Sequence, residues 1–423
     1  MKKILLLLLL ASTCAFAQTS VNQVIILNEG YYNFSTGNQD VLVTIGSYDP
    51  ASHIYTTFET IAGAQFASDV IVDGNYIYAA CSNGIRKYDK ITRQLLYTNT
   101  TTGVRKMAVW NNELLVTRGD YLVLNNNYFQ SYNTSDLSFN YQIDNVIGPA
   151  FSTEGIAVYG DSCFIALNNG FNFPNYVGKI GVIYLPTHTY AREFDLGTIG
   201  VNPDYLTINN GEIYTVNNRD FSNASISKYE INSGALSTTD LMVSSGCGTS
   251  VYANNDLLFQ VSGEQNLKKF STSSLTTYDS LMINQPIYGM AHDAVNNLLY
   301  AGVTDFYSYG KILVYNNSGS VVDSFLVGVS PGNIAIDYNG PLAVDQLNAA
   351  RLEIFPNPSN DFIVVKTDNP LSIKIYDAIG NVVITTNVTA IAGKINIRDL
   401  KPGLYFIRSI NSNIHLNQKF IKQ

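Results

Sequence analysis

The chain has 423 residues, of which only 14% are charged, and a formal net charge of −8. That length allows a large core and more than one domain, while an acidic chain without a basic stripe argues against a nucleic-acid partner. Tyrosine occurs 29 times and asparagine is abundant, which suits an all-β extracellular protein whose surface is polar through hydroxyls and amides.

Residues 1–17 read as a secretory signal peptide. Lys2 and Lys3 precede the apolar run Ile4–Leu10, and Ala15-Phe16-Ala17 forms a small-x-small site, so cleavage is expected between Ala17 and Gln18. The run is too short to span a bilayer, and no later stretch is apolar enough to do so. Cys14 would suit a lipoprotein, but Ala11-Ser12-Thr13 is a poor lead-in for lipid attachment. Cys81, Cys163 and Cys247 remain in the mature chain. An odd number cannot all pair internally, so they are expected to be small buried core residues.

From Val21 the chain reads as strands. The run VNQVIILN ends in Asn28-Glu29-Gly30, and two more strands, VLVTIGSYD and HIYTTFET, follow. A repeat then begins. The runs VIVDG, MAVWN, IAVYG, LTINN, VYANN, MAHDA and IAIDY start at Val70, Met107, Ile156, Leu206, Val251, Met290 and Ile334, at intervals of 37, 49, 50, 45, 39 and 44 residues. The first six each open a unit of four short alternating strands separated by Asn, Gly and Ser turns, as Ile287 to Val327 illustrates. A four-stranded unit near 44 residues long predicts a seven-bladed β-propeller over residues 21–338. The first three strands lack an inner strand, and Ile334–Tyr338 lacks a blade, so the C-terminal run is expected to complete the N-terminal blade and remove the open edges.

The two ends of such a propeller differ in composition. The turns after inner strands and the outer hairpins are short and polar. The opposite face carries the long loops after Leu27, Thr117, Leu167, Val216 and Val303, all with aromatics among Asn, Asp and Gly. From these loops come the rim candidates Tyr31, Tyr32, Phe34, Tyr121, Phe171, Phe173, Phe221, Phe306 and Tyr307. Glu29 lies in the first of them, and Arg118 and Arg219 follow second strands, where they could meet an anionic group. The residues just before the inner strands point to the same mouth: Asp69, Lys106, Glu154, Asp204, Thr249, Tyr288 and Asn333. Aromatic faces offer apolar area at little rotamer cost, and Asn and Asp add directional hydrogen bonds.

Residues 339–351 read as a linker. Residues 352–423 hold six alternating strands and predict a small Ig-like β-sandwich. This domain resembles the type A sorting domain of type IX secretion substrates of the Bacteroidetes. The matching residues are Phe355-Pro356-Asn357-Pro358, Ile375-Tyr376-Asp377 with Gly380, Leu400, and Gly403-Leu404-Tyr405-Phe406-Ile407. The resemblance implies the type IX secretion machinery as a partner, export across the outer membrane, and later removal of this domain.

The propeller resembles the YncE-like seven-bladed surface propellers, more closely the subgroup that opens with Asn-Glu-Gly, here Asn28-Glu29-Gly30. Thr153-Glu154-Gly155-Ile156 and Pro331-Gly332-Asn333-Ile334 also fit that family. Some relatives capture vitamin B12 for an outer-membrane transporter, so the resemblance implies a corrinoid and such a transporter among the partners to test. It carries over no set of contact residues.

Enzyme signatures are weak. His53, His188, His292 and His415 never fall at metal-ligand spacing, and no nucleophile elbow, P-loop or paired-cysteine motif occurs. Glu154, Asp204 and Asp69 could converge as in propeller lactonases. The expectation is a non-enzymatic surface protein without cofactor or metal, binding a small-molecule, glycan or protein ligand through the aromatic face. Adhesion through the same rim is the alternative, and a lactonase-like hydrolase a lesser one.

Overall fold

A computed structural model describes residues 20–120, 126–245, 249–339, 353–366, 371–377, 381–388, 393–409 and 417–423. The signal peptide with Ala17 and Gln18, Tyr121, Cys247, Gly380, His415 and linker residues 340–351 lie outside these.

Seven four-stranded antiparallel sheets form the first domain. Blade 1 runs, from inside out, Pro331–Asn339, Ser20–Asn28, Val43–Asp49 and Ile54–Ile61. Its innermost strand therefore comes from the far end of the propeller sequence, with Ile336 opposite Val24 and Ile334 opposite Ile26. Blades 2 to 7 are built in sequence, with inner strands Ala67–Asp73, Val104–Trp110, Thr153–Tyr159, Pro203–Asn209, Ser250–Ala253 and Gly289–Asp293.

Period-two geometry explains how these sheets form a ring. The second strand of blade 4, Ser162–Leu167, is apolar at almost every position because both of its faces are covered. Cys163, Ile165 and Leu167 pack on Leu115 and Phe129 of blade 3, while Phe164 and Ala166 pack on Ile213 and Tyr229 of blade 5. The same sharing joins every neighbouring pair, and the last interface sets Tyr300, Ile312 and Val314 of blade 7 on Val24, Ile26 and Tyr48 of blade 1. Seven sheets with seven shared cores are a closed seven-bladed propeller.

The short-turn face is tied by one repeated backbone bond. The outer hairpin donates to the turn after the inner strand from Lys90 to Asn75 O (3.0 Å), Thr134 to Asn112 O (2.9 Å), Leu185 to Asp161 O (2.9 Å), Ile231 to Gly211 O (2.9 Å) and Thr272 to Asn255 O (3.1 Å). The other face holds the long loops. One of them, read as a loop from its sequence, contains a small hairpin of Tyr31–Asn33 and Asn38–Val41. Gly37, at φ +72°, reverses the chain there.

The second domain is a β-sandwich. One sheet is Glu353–Phe355, Phe362–Lys366 and Gly393–Asn396; the other is Val382–Val388, Leu371–Tyr376, Gly403–Ser409 and Asn417–Lys422. Ile363, Val365, Ile373, Ile375, Ile407 and Phe420 fill the space between them. Asn357 of the Pro356-Asn357-Pro358 segment binds the last strand like a strand residue, donating to Lys419 O and accepting from the Ile421 N–H. Gly403 pairs with Lys422 in the same sheet, and the buried Tyr405 donates from its hydroxyl to Lys401 O.

Candidate functional site

The site begins with an irregularity that alternation alone does not reveal. Where the inner strand starts, the pairing steps from Ala67↔Cys81 to Asp69↔Ala80 in blade 2 and from Val104↔Arg118 to Met107↔Val116 in blade 3. In blade 4 it steps from Thr153↔Leu167 to Ile156↔Ile165, and in blade 5 from Pro203↔Asn217 to Tyr205↔Val216. Blade 1 does the same between Asn333 and Pro331. Each step adds one residue to the inner strand, a β-bulge that re-aims side chains. Blades 6 and 7 have regular registers here. Thr117 braces the bulge of blade 3: its hydroxyl accepts from the Lys106 N–H (2.9 Å) and donates to Glu154 O (2.6 Å).

The bulges direct Arg105, Lys106, Glu154, Asp204 and Tyr205 into a cavity of about 350 Å³ at the long-loop mouth of the channel, with Glu29, Tyr288 and Asn333 closing the ring. Phe66, Phe171 and Phe221 supply apolar wall, and Asn168, Asn202 and Asn218 supply amides. Beneath it lies a throat of about 230 Å³, bounded by Val70, Ile71, Met107, Ile156, Leu206, Met290 and Ile334. Lys106, Asp204, Tyr205, Gly332 and Asn333 border both spaces, so a polar collar separates a polar mouth from an apolar throat. Gly332 is required at that collar, because a Cβ there would stand 2.7 Å from both Glu29 Oε1 and Tyr288 Cε1.

Charges in the mouth are partly paired. Arg105 grips Glu154 with two bonds, Nε to Oε2 at 2.7 Å and Nη2 to Oε1 at 2.9 Å, and its guanidinium lies 5.1 Å over the Phe171 ring. Lys106 donates to Ser68 O (2.8 Å) and Asn333 Oδ1 (3.4 Å) and lies 3.6 Å from Asp69. Burial disfavours both cations, yet Glu154 beside Arg105 and Asp69 beside Lys106 outweigh it and hold their pKa values up. Glu29 accepts from the Tyr288 hydroxyl at 2.7 Å, and Asp204 from Asn218 Nδ2 at 3.0 Å. Loss of bulk water lifts Glu29 to about 7, and burial together with Glu154 lifts Asp204 to about 6. Protein surrounds these groups, and the surface they keep faces the channel.

A pH dependence follows. The native chain retains a proton on Glu29 that an unfolded carboxyl releases above 4.5, so this contribution to stability is full below 4.5 and lost as pH rises through about 7. Glu29→Gln keeps the acceptor for Tyr288 and removes the charge. It should raise stability at pH 8 by roughly 1–2 kcal/mol, after allowance for channel water, and change it little at pH 4.5. Thermal melts of both proteins at the two pH values check this; equal differences at both would contradict it.

The structure places the sequence candidates in three groups. Glu29, Lys106, Glu154, Phe171, Asp204, Phe221 and Tyr288 line the mouth, and Asp69 the throat. Tyr31, Tyr32, Phe34, Phe173, Phe306 and Tyr307 stand outside the cavity and pair with one another or with a wall residue. Tyr32 meets Phe34 at 4.9 Å, Tyr31 meets Tyr307 at 5.0 Å, and Phe306 backs Tyr288 at 4.9 Å. Phe173 reaches Phe221 through Tyr176.

The two arginines need correction. Arg118 is buried and spends its guanidinium on Thr102 O and on Asn127 O and Oδ1, so it braces its own blade instead of facing an anion. Arg219 pairs with Asp240 at 3.1 Å, outside the cavity. Sequence reading missed Arg105 and Tyr205. Each adjoins a chosen position, and the signal was available: a polar pair, Arg105-Lys106 or Asp204-Tyr205, where strict alternation allows one inward residue.

Elsewhere the titratable side chains have local roles. Cys81 and Cys163 are buried and unpaired, and burial pushes the Cys81 thiol up to about 12. His53 meets Asp323, His188 stacks on Tyr141, and His292 meets Asn297. Among the described residues no group of three or more His, Cys, Asp or Glu is arranged to hold a metal ion.

Fold and domain order define a seven-bladed propeller joined to a β-sandwich. Residues 353–423 match the family model of the secretion system C-terminal sorting domain, which marks the chain for export by type IX secretion to the cell surface or extracellular space. No curated protein matches the chain.

Proposed function

We propose that this secreted protein is a non-enzymatic binder that holds a small ligand in the channel mouth on the outside of the cell. The observation that carries this reading is the convergence of five bulged blades on one cavity, while the opposite face carries short turns bonded within their own blades. A space of about 350 Å³ lies at the small end of ligand pockets, and its aromatic wall with convergent amides matches how such pockets are lined. Turnover finds less support, because both oxygens of Glu154 are engaged by Arg105 and Asp69 accepts from the Met107 N–H at 2.8 Å.

Size constrains the ligand. A corrinoid exceeds the cavity, so it would insert one amide-bearing side chain and rest its ring on the rim. A small solute would enter whole. Delivery to an outer-membrane transporter belongs to the same proposal. Adhesion is a second reading, favoured by the exposure of Phe34 (83%), Phe173 (73%) and Tyr307 (67%).

Calorimetric titration of the full chain with cobalamin, glycans and small polar solutes tests the proposal. Replacing Phe171 and Phe221 together by alanine should weaken any ligand so found at least about tenfold, the loss of two aromatic contacts. Unchanged affinity would exclude the mouth. Binding to polymer or cells alone would move the function to the rim.

A further inference from the structure

We infer that the mouth selects ligands bearing a cationic nitrogen, an ammonium or quaternary ammonium group, held by Glu29 and Asp204 among the aromatic walls. This rests on the reading of the mouth as a binding site and adds the class of ligand.

The argument is a count of which charges are already satisfied. Five ionisable side chains besides the tyrosines line the mouth: Glu29, Arg105, Lys106, Glu154 and Asp204. Arg105 and Glu154 neutralise each other through two hydrogen bonds. Lys106 is engaged by Ser68 O, Asn333 Oδ1 and the Asp69 carboxylate, which lies at the throat. Glu29 and Asp204 remain. Each receives one neutral donor, the Tyr288 hydroxyl and the Asn218 amide. No hydrogen bond among the described residues reaches Glu29 Oε2 or Asp204 Oδ1, and both residues line the cavity. With all five groups ionised, the lining carries one more negative charge than positive. An anionic guest would have to compete for cations that already hold partners.

The walls favour the same class. Phe66, Phe221 and Tyr288 line the mouth with the two carboxylates, while the rings of Phe171 and Tyr205 already meet Arg105 (5.1 Å) and Lys106 (5.9 Å). Aromatic faces attract cations through their quadrupole, and the attraction grows where water is excluded. Carboxylates beside aromatic faces therefore recognise an organic amine by charge and by apolar contact together. Phe221 and a second aromatic, Phe306, hold φ values of +64° and +69°, a conformation rare for bulky residues. Phe221 is fixed by its N–H on Asn218 O (2.8 Å), and Asn218 in turn holds Asp204. Ring and carboxylate are thus oriented through one asparagine.

The test is calorimetric titration of the full chain at pH 8 with choline and spermidine, and with succinate and glucose as anionic and neutral controls. One-to-one binding of a cation is expected, with affinity lowered at least about tenfold by Glu29→Gln and by Asp204→Asn. Affinity of the unmodified chain should also fall about tenfold or more at pH 5, where both carboxyls take up protons. That pH response carries the test if Asp204→Asn does not fold. Absence of binding by either cation at millimolar concentration, or cation binding insensitive to pH and to both substitutions, overturns the inference. Binding of succinate or glucose alone, lost when Phe171 and Phe221 become alanine, overturns the cation class yet leaves the mouth as the site. Probe binding that survives that double replacement removes the site itself.

Discussion

Glu154→Ala should lower folding stability by roughly 3 kcal/mol, in the range for breaking a buried ion pair from one side. The Glu154 side chain keeps 6% of its surface and Arg105 keeps 24%, and both line the channel mouth, so little bulk water is present to replace the lost partner. The pair joins the inner strands of blades 3 and 4 at the point where both are bulged and the backbone ladder is interrupted. Arg105→Ala should cost more than Glu154→Ala. It leaves Glu154 as an unpaired carboxylate beside Asp204, whose protonation Glu154 already favours. Replacing both, Arg105→Met with Glu154→Leu, should recover most of the loss, because no buried charge is then stranded and the volume is kept. Urea denaturation at pH 7 of the four proteins measures this. A double variant as unstable as the worse single would mean that the pair matters through shape and not through charge.

This pair also marks the limit of what the sequence discloses. Blade positions are legible because alternation is local. Runs such as MAVWN at Met107 and IAVYG at Ile156 announce strands by residues two apart, and turn residues fall between them. The domain order is legible for the same reason, as is the sorting domain, whose Asn357, Gly403 and Tyr405 each meet a specific backbone need. The mouth is legible only in part. Glu154 and Asp204 are legible because they stand just before the alternating runs that begin at Ile156 and Leu206. Arg105 is not, because it enters the site through an inserted residue that shifts the register, and a register is a property of two strands.

Loop aromatics fail differently. Composition places Tyr32, Phe34 and Phe173 on the correct face, but which rings line a cavity and which pack on one another depends on contacts between blades. Tyr31 meets Tyr307 from the opposite end of the propeller sequence. Arg118 was misplaced because the end of a second strand can turn either to the channel or back into its own blade. Carbonyls of Thr102 and Asn127, set by the fold, decide that.

A chain ending at Val329 should fail to yield a monomeric propeller, whereas one ending at Asn339 should fold. The residues after Val329 include the nine-residue inner strand of blade 1, Pro331–Asn339, and Ser20–Asn28 would become an open edge without it. An unpaired edge beside exposed apolar residues is a template for association. The packing loss is also large. Ile334 and Ile336 lie on the core of blades 7 and 1, and Ala335 on that of blades 1 and 2, so two interfaces are weakened at once. With the core partners they uncover, the burial lost is on the order of 5–10 kcal/mol, comparable to the whole stability of a typical domain. Asp337 fastens the strand further, accepting from Asn22 (2.7 Å), Gln23 (3.2 Å) and Lys90 of blade 2 (2.8 Å). Size-exclusion chromatography and circular dichroism of the two truncated chains separate the outcomes. The strand also carries Gly332 and Asn333 into the mouth, so ring closure and site assembly are one event: a chain that cannot close has no cavity in which to hold a ligand. A well-folded monomer ending at Val329 would show that six blades and an incomplete seventh suffice, and that the closing strand serves the mouth alone.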